Sequence, residues 1–315
     1  MNMQSIVSLL PILAALVAGW AMRRWLLPAK SAPVLISLIG PMVWCLLFLI
    51  GVEFAGALAS LDAIGYVLRI AALLVAATTA APCLLLMSAA RLLKGVRNDK
   101  PSSRRSAGFD LVAVGAPLKE CGTAVAMVCA GVAVSAGLSA AGVAMDDLWL
   151  PSSSVMLLSL IVLIGIDLAG FSIGRKMLSW AVICVPLAVI AGSIIGGAAV
   201  HLITGEDIRV LLALSCGFGW FTLSSTLVGS LSGELHGAIA LVVDLGRELS
   251  AIVLLYLFGQ HRASLGIAAA GATAMDSTLP IVRQACPSDA IPVALVSGFI
   301  LTITAPFLIT ALLTG

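Results

Sequence analysis

One acidic residue, Asp276, lies between apolar residues in the segment GATAMDSTLP, residues 271–280. On insertion scales, an unpaired carboxylate in hydrocarbon costs about 2.5–3.5 kcal/mol. In a helix, Pro280 would leave the carbonyl group of Asp276 without its N–H donor, and a free carbonyl beside a carboxylate suits a cation. Ser277 and Thr278 add hydroxyl groups. We therefore expect a cation-binding site at a helix break, the alternative being a protonated Asp276 that bonds a neighbouring helix.

The segment VVDLGRELSAI, residues 242–252, places three charged residues on one helical face. Asp244, Arg247 and Glu248 have the spacing i, i+3 and i+4, which brings side chains together on a helix. Asp244 and Arg247 can neutralise each other, so that Glu248 is left to bind a proton or an external cation. The alternative is a buried polar network that only holds helices together.

The segment GWFTLSSTL, residues 219–227, repeats the pattern of GATAMDSTL at 271–279, with Ser224 in the place of Asp276. Both segments are rich in Gly, Ser and Thr, and we interpret each as a broken or re-entrant helix. With one full span between them, they would enter from opposite faces of the membrane and meet near its midplane. Ser224 and Ser225 are therefore candidate site residues. Two ordinary helices with small residues for close packing are the alternative.

The composition indicates which elements hold these segments. Hydrophobic residues make up 61% of the 315 residues and charged residues 10%, with a mean hydropathy of +1.16, whereas soluble domains have about 25% charged residues. Seven runs without a charge cover residues 1–22, 31–52, 70–90, 121–145, 148–166, 210–233 and 290–315, and three interrupted stretches cover 177–200, 237–259 and 263–282. Each is close to the length that a membrane helix needs. The sequence predicts an all-α polytopic membrane protein with eight transmembrane helices and two broken or re-entrant segments, or about ten crossings.

Two segments of the first half resemble each other. FLIGVEFAG at 48–56 and VLIGIDLAG at 162–170 align two glycines and one acidic residue, Glu53 with Asp167. The segments are three crossings apart and therefore run in opposite directions, as in the inverted-topology repeats of secondary transporters. Glu53 and Asp167 are candidate ligands, or residues that are solvated at headgroup depth.

Lys and Arg concentrate in alternate connections, after the first, third and fifth spans, which predicts an outside N-terminus and an outside C-terminus. We interpret the largest basic cluster, 91–105, as a topology determinant that touches anionic lipid headgroups, and we expect no nucleic-acid partner. We predict a single domain, 1–315, with two related three-helix repeats in 1–200 and a core in 206–315 that carries the site. The sequence leaves an oligomer possible.

Other chemistry has little support in the sequence. The seven cysteines have no metal or redox spacing, and we expect no metal and no cofactor. No G-x-S-x-G or H-E-x-x-H segment is present in the sequence, so we predict no catalytic residues and no enzyme. Asp244 and Asp276 would be the carboxylates of an intramembrane aspartyl-type hydrolase, but a GxGD-type motif is missing. A cation-selective channel is a further alternative.

Four blocks in the last third of the chain carry a family resemblance: GFGWFTLSS at 217–225, DLGRELSAI at 244–252, GATAMDSTLP at 271–280 and PVALVSGFILT at 292–302. In this combination and order, the chain resembles the bacterial lysine exporters of the LysO type. The first two hundred residues match that family only in pattern. The resemblance implies export of L-lysine, and of lysine analogues, across the bacterial inner membrane.

The resemblance also implies that Asp276 and the Asp244, Arg247 and Glu248 block matter for translocation. The lysine ammonium suits carboxylates and carbonyls, and its α-carboxylate would need hydroxyls, Arg247 or the half-helix N-terminus at Ser224–Ser225–Thr226. No ATP-binding motif is present, so we expect an ion gradient, with protons as the exchanged ion. Another small cation is the alternative substrate.

Overall fold

The computed structural model describes residues 3–28, 31–58, 60–94, 111–141, 151–170 and 180–315. Most of the basic cluster 91–105 lies outside these residues. The helices are α1 (Met3–Ala21), α2 (Ala32–Ser37), α3 (Ile39–Phe54), α4 (Leu61–Lys94), α5 (Leu111–Ala140), α6 (Ser153–Leu168), α7 (Trp180–Thr204), α8 (Ile208–Ser215), α9 (Phe221–Ser232), α10 (Glu234–Ala270), α11 (Leu279–Ala285) and α12 (Ala290–Thr314). A π-helical turn, Met22–Leu26, continues α1, and a 3-10 turn, Gly271–Met275, follows α10.

Five stretches of the described chain are helical, long and apolar enough to cross a membrane: Ala32–Phe54, Asp62–Ala89, Cys121–Ala140, Val182–Thr204 and Ala290–Thr314. Ser153–Leu168 is a shorter apolar helix. Apolar side chains such as Trp25, Leu26, Leu202 and Ile203 remain exposed, as expected where the surrounding solvent is lipid. The protein is therefore a helical membrane protein, as the sequence predicts.

Glycines bring the helices of the first half into backbone contact. A Cβ atom on Gly19 of α1 would lie 2.0 Å from the carbonyl oxygen of Val162 in α6, and one on Gly131 of α5 would lie 2.1 Å from that of Phe48 in α3. Only glycine permits these approaches, because any larger residue would push the helices apart. Small residues at helix crossings are the usual device of membrane proteins, where no hydrophobic effect drives helices together.

A third close crossing joins α4 to α7. Gly192 of α7 packs on Pro82 of α4, and Gly196 of α7 packs on Ala77 and Thr78. The long helix α10 lies against α4 and α9 and also contacts α7 and α12. Its buried positions include Asp244, so the core of the second half is built around a helix that carries charges.

Residues 208–232, which form α8 and α9, have both ends at the connection between α3 and α4. Before this segment, the Glu206 carboxylate interacts with the Tyr66 hydroxyl near the start of α4. At its other end, Gly229 of α9 and Gly237 of α10 pack on the Phe54 ring at the end of α3.

Residues 263–286 likewise begin and end close together. The helical path of α10 breaks at Arg262, where φ is −147° and ψ is 60°. Beyond this break Gly266 packs back on Leu255, and the end of α11 returns to the same region, where the Gln260 amide donates to the carbonyl of Ala285 over 2.8 Å.

Candidate functional site

Two helix interruptions face each other in the second half of the protein. The first, residues 216–220, separates α8 from α9, and the second, residues 271–278, separates α10 from α11. Phe218, Gly219 and Gly271 have φ angles of 52°, 87° and 64°, in the left-handed region that glycine tolerates best. Helix breaks are therefore present, but the first lies earlier than the sequence predicts: Ser224, Ser225 and Thr226 are inside α9, whose N-terminus is at Phe221.

The two interruptions are in direct contact. The N–H of Ala272 donates to the carbonyl of Phe218 over 2.8 Å. A Cβ atom on Gly271 would lie 2.3 Å from the same carbonyl oxygen, and one on Gly219 would lie 2.8 Å from the carbonyl oxygen of Ala270. Both glycines are thus required by close approach as well as by their φ angles.

Asp244 of α10 holds the first interruption in place. Its Oδ1 accepts from the N–H of Gly219 over 2.7 Å, and its Oδ2 accepts from the Ser224 hydroxyl over 2.5 Å. Gly217 lies against the same carboxylate, since a Cβ there would be 1.9 Å from Oδ2. Asp244 is fully buried, and its two oxygens hold the non-helical backbone at Gly219 and a side chain of the first turn of α9.

Glu248, one turn further along α10, contacts the second interruption. Its Oε1 accepts a hydrogen bond from the Ser277 hydroxyl, and the side chain of Glu248 is fully buried. The two carboxylates of the α10 stripe are thus divided, with Asp244 at the first interruption and Glu248 at the second.

Arg247 lies between these carboxylates and is also fully buried. Its Nη1 donates to the Ser193 hydroxyl of α7 over 3.2 Å and to the carbonyl of Ser215 over 3.3 Å. Ser215 is the last residue of α8, where a cation is favourable beside the helix C-terminus. The guanidinium also lies over the Phe218 ring, 5.9 Å from its centroid. Asp244 acts on Arg247 electrostatically, and the buried Nε and Nη2 of Arg247 find no hydrogen-bond partner among the described residues.

A cavity of about 590 Å³ opens at the contact between the interruptions. Asp276, Ser277 and Asp167 lie on its wall, and the Asp276 carboxylate finds no hydrogen-bond partner among the described residues. Asp276 itself has φ −124° and ψ −107° and separates the 3-10 turn from α11, so the helix is broken at the carboxylate. Asp244, Arg247 and Glu248 are not on the wall, and neither is Glu53.

The sequence predicts that the carbonyl and the carboxylate of Asp276 are both free, but the carbonyl is not. It accepts from the N–H of Leu279 over 3.1 Å, because the chain turns at Asp276 before Pro280 enters the first turn of α11. One lone pair of that carbonyl is therefore in use, and the free group at the break is the carboxylate.

The remaining candidates from the sequence are buried or distant from the cavity. Ser224 bonds Asp244, the Ser225 hydroxyl donates to the carbonyl of Phe221, and the Thr278 hydroxyl donates to that of Thr273. Glu53 lies at the end of α3 that is far from the cavity. Its carboxylate accepts from the hydroxyl of Ser153 over 2.8 Å and from the N–H of Ser153 over 3.4 Å.

The cavity wall includes polar residues that sequence reasoning missed: Arg23, Thr222 and Thr273. Arg23 follows the first apolar run, where the sequence indicates only a role in membrane topology. Thr222 and Thr273 lie within the two similar segments, 219–227 and 271–279, and this position is the sequence feature that could have identified them as site residues. Within the described residues, no group of three His, Cys, Asp or Glu has the arrangement of a metal site.

The fold and the cavity define a helical membrane protein with a solute-sized site at two broken helices. The sequence profile described as lysine exporter LysO matches residues 125–313. The chain belongs to this family of amino-acid transporters. Asp167, Asp244, Glu248 and Asp276 lie within the matched residues, whereas Arg23 and Glu53 lie before them.

Two relatives accord with this assignment. The chain is 33% identical over 183 residues to a protein of Escherichia coli (strain K12) named Lysine exporter LysO, a match that covers 58% of this chain and 61% of that protein. It is 33% identical over 181 residues to a protein of Haemophilus influenzae named Putative lysine exporter, covering 56% of this chain and 93% of that protein. The match thus spans about three fifths of the length of the E. coli relative. No solved structure matches the chain.

Proposed function

We propose that this protein exports L-lysine, and lysine analogues, across the bacterial inner membrane by a secondary, proton-coupled, alternating-access mechanism. The observation that carries the proposal is the cavity at two broken helices, with the free Asp276 carboxylate on its wall, in a chain of the lysine exporter family. A volume of about 590 Å³ falls within the range of small-molecule sites. The lysine ammonium, with three donors and no acceptor, suits a carboxylate that has no other partner.

The proposed topology has eight crossings, formed by α1, α2 with α3, α4, α5, α6, α7, α10 and α12, and two re-entrant segments. Both ends of residues 208–232 lie at the α3–α4 connection, whereas both ends of 263–286 lie at the far end of the first arm of α10. That arm, residues 234–261, is about 42 Å long at 1.5 Å per residue, enough to cross a bilayer. The two segments therefore enter from opposite faces, and their tips meet.

The contacts between α1–α4 and α5–α7 fit an inverted repeat, because each half makes the same glycine contact with the other. Phe48 and Val162 occupy the same position in the two echoing segments, three residues before Gly51 and Gly165. Gly131 of α5 packs on Phe48, and Gly19 of α1 packs on Val162, at almost the same separation. A two-fold relation between the repeats would produce this exchange, with α1 equivalent to α5 and α3 to α6.

In this mechanism, cytosolic lysine enters the cavity from the side of Arg23 and Asp167, at the ends of α1 and α6. Its side-chain ammonium binds Asp276. Asp244 and Glu248 hold the two tips together, and Glu248 lies one hydrogen bond behind the wall, through Ser277. A proton from outside that neutralises Asp276 or Glu248 weakens the ammonium site and releases lysine outward.

Proton exchange also removes the electrical cost of export. Moving one positive charge outward against an inside-negative potential costs about 2.3 kcal/mol per 100 mV. An inward proton for each outward lysine cation makes the exchange electrically neutral, so the pH gradient alone supplies the driving force.

Purified protein in proteoliposomes tests the proposal. We expect saturable counterflow of labelled lysine, which separates a carrier from a channel, and lysine-dependent proton movement. If an imposed pH gradient does not change the flux of labelled lysine, the proposed proton coupling is wrong. If the protein does not carry lysine at all, the proposed function is wrong.

A further inference from the structure

Among the described residues, the cavity wall has three charged side chains, which come from three different elements. Arg23 is in the π-helical turn after α1, Asp167 is at the end of α6, and Asp276 is at the second interruption. Asp167 is close enough to interact electrostatically with both Arg23 and Asp276. The charges that the described residues present to the cavity are therefore one guanidinium and two carboxylates.

Arg23 still has hydrogen-bonding capacity to offer. Its Nη1 is buried and finds no hydrogen-bond partner among the described residues. Its Nη2 lies against Gly170, where a Cβ atom would be only 3.4 Å away, so the guanidinium is held close to the backbone at the end of α6. A buried unpaired N–H is unfavourable, and a planar guanidinium binds a carboxylate better than any other common group.

We propose, on the basis of the lysine export proposed above, that Arg23 binds the α-carboxylate of the exported amino acid while Asp167 and Asp276 bind its two ammonium groups. A dibasic amino acid has one carboxylate and two ammonium groups, which is the complement of the charges on the wall. A diamine of the same chain length has both ammonium groups but no carboxylate, so it would leave the Arg23 guanidinium without an anionic partner. The cavity therefore selects dibasic amino acids against diamines.

Arg247, the arginine that the sequence suggests for the carboxylate, does not compete for this role. It is fully buried, its Nη1 donates to Ser193 and Ser215, and its Nε and Nη2, which find no partner among the described residues, lie in the core away from the cavity wall. Arg23 is the arginine on the cavity wall within the described chain.

The test compares lysine with 1,5-diaminopentane, which is lysine without its carboxylate, as competitors of labelled-lysine counterflow in proteoliposomes. In Arg23→Gln, we expect the apparent affinity for lysine to fall by about 10- to 100-fold, the loss of a hydrogen-bonded charged pair, while the affinity for the diamine is unchanged or higher. Arg23→Lys keeps the charge that orients α1 but loses the planar pair of donors, and its lysine affinity should lie between the two. Arg24→Gln is the matched control, because Arg24 is exposed and away from the cavity wall.

The outcomes separate this inference from the proposed function. Lysine counterflow in the unmodified protein, with an unchanged ratio of lysine to diamine affinity in Arg23→Gln, would overturn the role of Arg23 and leave lysine export standing. An equal loss in Arg24→Gln would overturn it as well, because the effect would then be one of membrane topology. Absence of lysine counterflow in the unmodified protein would remove the proposed function itself.

Discussion

The substitutions Asp276→Asn and Asp244→Asn should affect different properties of the protein, because their carboxylates have different surroundings. Asp276 faces the cavity and finds no hydrogen-bond partner among the described residues. Asp244 is fully buried, accepts from Gly219 and Ser224, and lies one turn from Arg247. Both substitutions are nearly isosteric and remove one charge, so each is a control for the other.

The expected magnitudes follow from these contacts. For Asp276→Asn, stability should change by no more than about 0.5 kcal/mol, as for a residue without buried partners. Loss of its charged hydrogen bond to the lysine ammonium should cost about 1.5–3 kcal/mol of binding, or about 10- to 150-fold in affinity. Asp244→Asn removes the acceptor of the buried Ser224 hydroxyl and the negative charge that acts on the buried Arg247, and an unsatisfied buried donor costs about 1–3 kcal/mol, more for a charged group.

Thermal unfolding in detergent and lysine counterflow in proteoliposomes measure the two effects. We expect Asp276→Asn to unfold at the temperature of the unmodified protein and to lose lysine affinity, whereas Asp244→Asn should unfold at a distinctly lower temperature. If Asp276→Asn is as unstable as Asp244→Asn, the Asp276 carboxylate is structural. If it retains full lysine affinity, the cavity is not the site.

Two further predictions test the architecture. In a cysteine-free background, a cysteine replacing Glu234 should react with an impermeant reagent from outside and one replacing His261 only from the cytoplasm, whereas ten crossings would reverse both results. If the repeats are related by symmetry, Gly19→Ala and Gly131→Ala should destabilise the protein by similar amounts, about 1–3 kcal/mol each from overpacking, as seen in thermal unfolding. Gly122→Ala is the control because a Cβ there meets open space, and unequal effects of the first two substitutions would contradict the symmetry.

The helix breaks could be predicted from sequence because their causes are local. Gly271 has a positive φ angle of 64°, a conformation that side chains rarely adopt, and Pro280 lies in the first turn of α11, where a missing N–H does no harm. The common face of Asp244, Arg247 and Glu248 was likewise predictable, since the helical repeat alone determines it.

The partners of these residues could not be predicted because they depend on tertiary packing. Asp244 bonds Gly219 only because the tip of the α8–α9 segment reaches the middle of α10. In the sequence, Arg23 looks like an ordinary cytoplasmic arginine, and only tertiary packing brings the end of α6 beside it. The carbonyl of Asp276 would be free in a continuous helix, whereas the chain turns there and Leu279 supplies a donor.

The contacts of each carboxylate also decide which one is available to a solute. Each oxygen of Asp244 already accepts one hydrogen bond, from the N–H of Gly219 or from the hydroxyl of Ser224. A lysine ammonium that displaced either donor would leave it unsatisfied, at a cost of about 1–3 kcal/mol. That cost would cancel most of what a charged hydrogen bond contributes, about 1.5–3 kcal/mol. Asp276 has no such donor to release among the described residues, so the same ammonium binds it at full strength. On affinity alone, we therefore expect the solute at Asp276, with Asp244 holding the broken helix.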